Sequence, residues 1–275
     1  MPVISTNTSA NSALRYLNQN STEQTSALNK VASGSRITRA SDDAAGLAVA
    51  TKLQSDVAVL GQASTNASHA SSILETADGG LSSMSDVLER MKVLCAESMS
   101  GAVGTTEKGY IQSEFDTLST ELDTIITTTT FNGTSLLDGT YTADFLVGTQ
   151  STDTITTDLT AADFTAVAGL GTTLGALDLT TTTGSAAALD AVNGAIDDLA
   201  GARASVGAME SQFNYHSDQI TSSETNLDAA QSAIMDCDIA EAQSEFSSAQ
   251  VKTNAAIAAL GQANSMPQQL LSLLQ

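Results

Sequence analysis

The chain of 275 residues has no tryptophan, two prolines, two cysteines, two histidines and only ten basic residues. Aromatics make up 4% of it, too little for the thick core of a large globular domain, which draws heavily on buried rings. The prolines, Pro2 and Pro267, lie at the two ends, so nothing between them forces a helix to break. Ten basic residues against 31 acidic ones leave a net charge of -21, which excludes affinity built on neutralising phosphates and a polybasic membrane surface. No stretch approaches the roughly 18 apolar residues that cross a bilayer. The first eleven residues lack the basic and apolar regions of a cleaved secretory signal. The expectation is a soluble chain, or one that leaves the cell without a cleavable leader.

Heptads are plentiful. Leu14, Leu17, Ser21, Gln24, Leu28 and Val31 step by three and four, and Val57, Leu60, Ser64, Ala67, Ser71, Leu74, Ala77, Leu81, Met84, Leu88, Met91 and Cys95 continue the step. On the return side Leu189, Val192, Ile196, Leu199, Arg203 and Val206 keep it, as do Ile239, Ala242, Phe246, Ala249, Thr253, Ala256, Leu260 and Ala263. A sustained 3.5-residue period marks supercoiled helices. Several of these positions are Ser, Gln, Thr or Ala, so the end seams bury too little to offset their ordering entropy, and residues 1–40 and 240–275 are expected to be disordered in a lone copy. Between Ala32 and Arg39, Gly34 among serines predicts a non-helical connector; Ser41 is the expected N-cap of the next helix, with Asp42 and Asp43 in its first turn. If the helices form a hairpin, Cys95 and Cys237 are separated by about fifty residues at ~1.5 Å each, so both are expected to be buried free thiols.

From 109 to 202 there is no Lys or Arg. Asn132-Gly133 predicts a tight turn, Tyr141–Val147 and Thr154–Leu159 read as strands, and Thr160–Ala166 as a short helix. The Thr-rich 151–184 stretch makes Thr154, Thr156, Thr181 and Thr182 candidates for hydroxyl-linked glycans, with β propensity as the alternative reason for so much Thr. No catalytic, cofactor or metal constellation is expected. His69 and His216 have no second imidazole at ligand spacing, and 169–175 has the wrong glycine spacing for a dinucleotide loop. Asp236 and Asp238, two apart, point away from each other on a helix.

Ser33-Gly34-Ser35-Arg36-Ile37-Thr38-Arg39-Ala40-Ser41-Asp42-Asp43-Ala44-Ala45-Gly46-Leu47-Ala48 resembles the N-terminal signature of bacterial flagellins. Leu88-Glu89-Arg90-Met91-Lys92-Val93-Leu94, Phe131-Asn132-Gly133, Arg203-Ala204-Ser205-Val206-Gly207-Ala208 and Ala263-Asn264-Ser265-Met266-Pro267-Gln268-Gln269-Leu270-Leu271 are similar to further stretches of that family. The resemblance covers residues 1–140 and 185–275.

It implies a mainly α fold, a long antiparallel helical hairpin and coiled coil with discontinuous domains and a small β-hairpin region at its outer end. Residues 1–40 plus 238–275 would form the axial coiled coil, 41–130 plus 186–237 a helical shell, and 131–185 a Thr-rich outer region. The implied function is a non-enzymatic, self-polymerising filament subunit for motility, exported unfolded by the flagellar type III system and located outside the cell. Leu14, Leu17, Leu28, Val31, Phe246, Leu260, Leu270, Leu273 and Leu274 are the implied polymerisation seams. Implied partners are identical and sibling subunits, a filament cap protein, hook-associated junction proteins and an export chaperone holding the C-terminal helices. Arg90, Leu94 and Glu114 match positions read by an innate immune Toll-like receptor, whereas Glu89 and Val93 depart from the commoner Gln and Glu. A hook–filament junction protein and a filament subunit with a secondary adhesive role are the alternatives.

Overall fold

The computed structural model describes residues 7–273. Seven helices and four strands follow in the order α1 (Thr8–Ser33), α2 (Ala44–Ser98), α3 (Thr105–Thr128), β1 (Thr130–Phe131), β2 (Thr134–Ser135), β3 (Thr142–Leu146), β4 (Thr154–Asp158), α4 (Ala162–Ala168), α5 (Leu170–Gly175), α6 (Thr182–Met235) and α7 (Ile239–Leu273). The fold is mainly α with two small antiparallel hairpins, as the sequence implies. The chain divides into two compact units, 1–56 with 226–275 and 57–225.

In the first unit α1 and α7 run antiparallel. The expectation of disordered ends is corrected over the described residues, because each helix finds a partner in the other. Asn7 caps α1 by accepting from the Ala10 N–H at 3.0 Å, and its own amide donates to the Ala263 carbonyl at 2.7 Å. Gly34 closes α1 at φ 70°, a left-handed conformation that glycine adopts at no steric cost. The connector then pairs with the break between α6 and α7. Ser35 bridges Asp236, the Arg36 N–H reaches the Met235 carbonyl at 2.6 Å, the Cys237 N–H reaches the Gly34 carbonyl at 3.0 Å, and the Arg36 guanidinium caps the Ile234 carbonyl at 2.7 Å.

That break takes Asp236, Cys237 and Asp238 out of the helix in which the sequence placed them. Cys237 is half-buried between α6 and α7, while Asp238 caps α7 through the N–H groups of Ala240 and Glu241. Asp236 accepts from Ser232. The cap of α2 is likewise Asp43 rather than Ser41: its carboxylate accepts from the Gly46 N–H at 2.9 Å. Gly46 is small because a Cβ there would strike that carboxylate and Ile37. Asp42 instead pins the preceding turn, taking the Thr38 and Arg39 N–H groups and the Thr38 hydroxyl.

The second unit has a continuous core. On α2 the buried positions include Leu60, Ala63, Ala67, Ala70, Leu74, Ala77, Leu81, Met84, Leu88, Met91 and Cys95, an unbroken heptad, with Ile73 and Leu94 buried beside it. It differs from the expected one where Ala63 and Ala70 replace Ser64 and Ser71, and Val57 is only half-buried. On α6, Ala188, Val192, Ala195, Leu199, Ala202 and Val206 are buried, so Leu189, Ile196 and Arg203 flank the seam rather than form it. Ile111, Phe115, Leu122 and Ile126 supply the inner face of α3. Arg203 reaches from α6 to Asp78 on α2 at 2.8 Å, and that carboxylate holds its guanidinium above the usual range.

The hairpins form as the turn chemistry dictates. Asn132 and Gly133 both have positive φ, 50° and 82°, which a two-residue turn between right-twisted strands requires. Strands β3 and β4 pair from Thr142 with Asp158 to Leu146 with Thr154. Phe145 meets Phe213 of α6 edge-on at 5.7 Å, and the Asn66 amide of α2 donates to the Leu146 carbonyl at 3.1 Å, so both long helices hold this hairpin. The glycine-rich 169–175 segment is a turn residue, Gly169, followed by α5. Gly171 and Gly175 of α5 fit against α3, where the Ser119 hydroxyl donates to the Gly171 carbonyl at 2.6 Å and a Cβ on Gly171 would collide with Asp123.

Candidate assembly surface

The α1–α7 pair is built on alanine. Ala242, Ala249, Ala256 and Ala263 recur every seven residues and are buried, and Ala27 is buried opposite them. Phe246, Thr253 and Leu260 of α7 and Leu17, Gln24 and Val31 of α1 complete the seam half-buried, together with Ala13 and Asn20. Methyl-sized side chains let two helices approach closely but remove little apolar surface from water. One seam hydroxyl, Thr253 Oγ1, is buried without a hydrogen-bond partner, a loss worth about 1–3 kcal/mol. Lys252 approaches Glu23 at 4.0 Å across the pair, an exposed contact of little energetic weight.

Larger apolar groups are left outside. Leu14 is 45% exposed, Leu28 49%, Tyr16 61%, Val251 68% and Ile257 55%. Leu14 and Leu28, two heptads apart, lie on one face of α1. Of the residues read from sequence as seams, Leu17, Val31, Phe246 and Leu260 are half-buried in the single chain, whereas Leu14 and Leu28 are exposed. The side chains buried in the pair are alanines, and Ala13 and Ala27 stand one residue around α1 from the leucines. Leu270 and Leu273 fall on α7 with side chains outside the described set, and Leu274 lies outside the described residues. Tyr16, Val251 and Ile257 were missed because they sit off the heptad. Their signal was apolar character on a polar face.

The other predicted positions separate in the structure. Arg90 and Glu114 form an exposed ion pair at 2.6 Å between α2 and α3, but Leu94 is 1% exposed and belongs to the core, so it presents nothing at the surface. Thr154, Thr156, Thr181 and Thr182 are all exposed. The Thr156 hydroxyl donates to Asp144, and that of Thr181 accepts from the Gly184 N–H at the start of α6. Thr160 and Thr180 donate both hydroxyl and N–H to Asp158 and Asp178, which holds those carboxyls below their ordinary range, the hydroxyl being the larger cause. Both cysteines are free, and burial pushes the Cys95 thiol up to about 11, leaving it inert.

Residues 4–142 match the bacterial flagellin N-terminal helical region and residues 189–274 the bacterial flagellin C-terminal helical region. The chain is 35% identical over 274 residues to the flagellin of Halalkalibacterium halodurans, covering 99% of this chain and 100% of that one. It is 33% identical over 304 residues to the flagellin of Bacillus subtilis, covering 99% of each. Over 287 residues it is 31% identical to the flagellar filament 33 kDa core protein of Treponema phagedenis, covering 99% and 100%. The crystal structure of Bacillus cereus flagellin overlaps 61% of this chain and 94% of that one, with 27% identity and a TM-score of 0.49. With both helical regions matched in order and full-length relatives above 30% identity, the chain belongs to the bacterial flagellin family.

Proposed function

We propose that this flagellin is a structural subunit that polymerises with identical and sibling copies into a flagellar filament for motility. The observation that carries the reading is the α1–α7 pair, which buries almost only alanine while Leu14, Tyr16, Leu28, Val251 and Ile257 stay in solvent. Exposed large apolar groups on one element mark an interaction surface. Neighbouring copies would cover them, with 1–40 plus 238–275 around the filament axis, 41–130 plus 186–237 as the helical shell and 131–185 outermost. Leu270, Leu273 and Leu274 extend the same seam in this reading. The work is mechanical rather than catalytic, and the relatives above are likewise flagellins and a filament core protein.

Finer roles follow from the same reading. The chain leaves the cell unfolded through the flagellar type III exporter, with an export chaperone on its C-terminal helix, and grows under a cap protein from hook-associated junction proteins. The exposed Arg90–Glu114 pair is what a neighbouring subunit or a Toll-like receptor would touch, and the exposed Thr154, Thr156, Thr181 and Thr182 are where glycans would fit. No helix of the described residues is long and apolar enough to cross a membrane. Electron microscopy of the purified chain after seeding with filament fragments tests the proposal. Long uniform tubes support it, and seeds that never lengthen at any protein concentration contradict it.

A further inference from the structure

The chain contains two Asn-Gly pairs, Asn132-Gly133 and Asn193-Gly194, and the fold treats them oppositely. Asparagine is a thermally labile side chain, and a following glycine has no Cβ to shield its backbone nitrogen. Asn193-Gly194 lies inside α6, where the helix directs the Gly194 N–H at the carbonyl four residues back, and Asn193 is half-buried. Asn132-Gly133 is the exposed tip of the β1–β2 hairpin, whose ladder holds only two residue pairs, Thr130 with Ser135 and Phe131 with Thr134. Among the described residues neither the Asn132 side-chain amide nor the Gly133 N–H has a hydrogen-bond partner, and the space where a Gly133 Cβ would stand is open. The base of the hairpin is firmer. Leu136 and Leu137 are fully buried, and Leu137 and Thr129 close on Gly80 of α2.

We propose that Asn132 is a site of spontaneous, irreversible modification, and that its isoaspartyl product undoes the β1–β2 hairpin. The Gly133 nitrogen, losing its proton to solvent base, attacks Asn132 Cγ. The new C–N bond closes a succinimide, and the side-chain nitrogen leaves as ammonia after taking a proton from water. A water molecule then opens the ring. Cleavage between Cγ and the Gly133 nitrogen gives aspartate, and cleavage between the main-chain carbonyl carbon and that nitrogen gives isoaspartate. Water is consumed and ammonia released, with no change of oxidation state. Ring closure draws the Gly133 nitrogen onto the Asn132 side chain, a geometry reached when the two-pair ladder opens, and that opening costs far less than opening the interior of α6. Aspartate tolerates the left-handed turn. Isoaspartate adds a carbon to the backbone, so a two-residue turn no longer closes. The inference stands apart from the filament reading, and the failure of either leaves the other intact.

Folded protein held in mildly alkaline buffer, then mapped by peptide mass spectrometry and labelled with isoaspartyl methyltransferase, tests it. The expected result is conversion at Asn132 at least about tenfold faster than at Asn193, because the two sites open at such different cost. In chain unfolded by guanidinium the two pairs should convert at comparable rates. Amide exchange reads the consequence: the isoaspartyl fraction loses protection at Phe131 and Thr134, and an Asn132→Asp variant keeps it. Asn132 that stays intact as long as Asn193 in the folded protein overturns the inference. So does an isoaspartyl fraction that keeps the hairpin protected. An unfolded chain in which Asn132 still outpaces Asn193 tenfold overturns it too, because flanking sequence rather than the fold would then set the difference.

Discussion

Among the described residues of the unit formed by 1–56 and 226–275, the buried apolar side chains are Ala27, Ile37, Ala50, Ala242, Ala249, Ala256 and Ala263. The twelve largest fully buried side chains, Phe115, Phe164 and Phe213 among them, all lie within 57–225. Charge divides the same way: Arg15, Lys30, Arg36, Arg39, Lys52 and Lys252 face nine carboxylates in the first unit, whereas four cations face twenty-two in the second. One unit is thin and close to neutral; the other is thick and strongly acidic. The difference teaches where each finds its stability. The second completes its own core, and the first pairs its helices through alanine while large apolar side chains such as Leu14, Tyr16, Leu28, Val251 and Ile257 stay exposed.

Truncating the thick core should have the largest effect. Phe213→Ala removes a fully buried ring that meets Phe145 edge-on, and should destabilise the 57–225 unit by about 3–5 kcal/mol in denaturant titrations. Leu14→Ala with Leu28→Ala on α1 should leave the dilute protein within about 0.5 kcal/mol of the parent for each change, since both side chains are half exposed there. The same pair of substitutions should sharply slow seeded elongation. Unchanged elongation would remove these leucines from the interface and blur the contrast between the units.

A smaller change sharpens the picture of the seam. Thr253→Val replaces a buried, unpartnered hydroxyl with a methyl group, and should strengthen the α1–α7 pair by about 1 kcal/mol, read from slowed amide exchange in both helices. Loss of protection instead would mean that the hydroxyl is satisfied in solution.

The smallest effect concerns acid. The Thr38 hydroxyl, followed by the Arg39 N–H, holds the Asp42 carboxyl below its ordinary value of 3.8. A carboxyl depressed on folding contributes stability above its unfolded pKa, and the contribution fades as pH falls through the lower folded value. The 38–43 turn should therefore loosen only below pH ~4, and Asp42→Asn should flatten that dependence when the Thr38 and Arg39 amides are followed by NMR. Asp158 and Asp178 use the same device in the acidic unit, so acid loosening should not distinguish the two units.

Much of this was legible in the chain. Gly34 and Asn132-Gly133 specify their conformations directly, because few residues tolerate positive φ. Strands β3 and β4 fall within the segments read from β-branched enrichment, and α2 ends at Ser98, close to where its heptad runs out. The phase of the seams was harder to read. Leu14 and Leu28 looked like seam residues by hydrophobicity, yet packing distance selects Ala27 and the alanine row of α7, a choice that apolar periodicity alone does not make. The break at 236–238 carries neither proline nor glycine, and it forms because Asp238 caps α7 while the connector supplies backbone partners two hundred residues away in sequence. Leu94 reads as a surface position by resemblance but as core by its place on the buried face of α2.

Amide hydrogen exchange of the dilute protein and of seeded polymer, compared helix by helix, bears most directly on the contrast between the units. The account predicts that α1 and α7 exchange far faster than α3 and the 57–98 part of α2 in dilute solution, and that polymerisation closes that gap. Equal protection of α1 and α7 before and after seeding would contradict it.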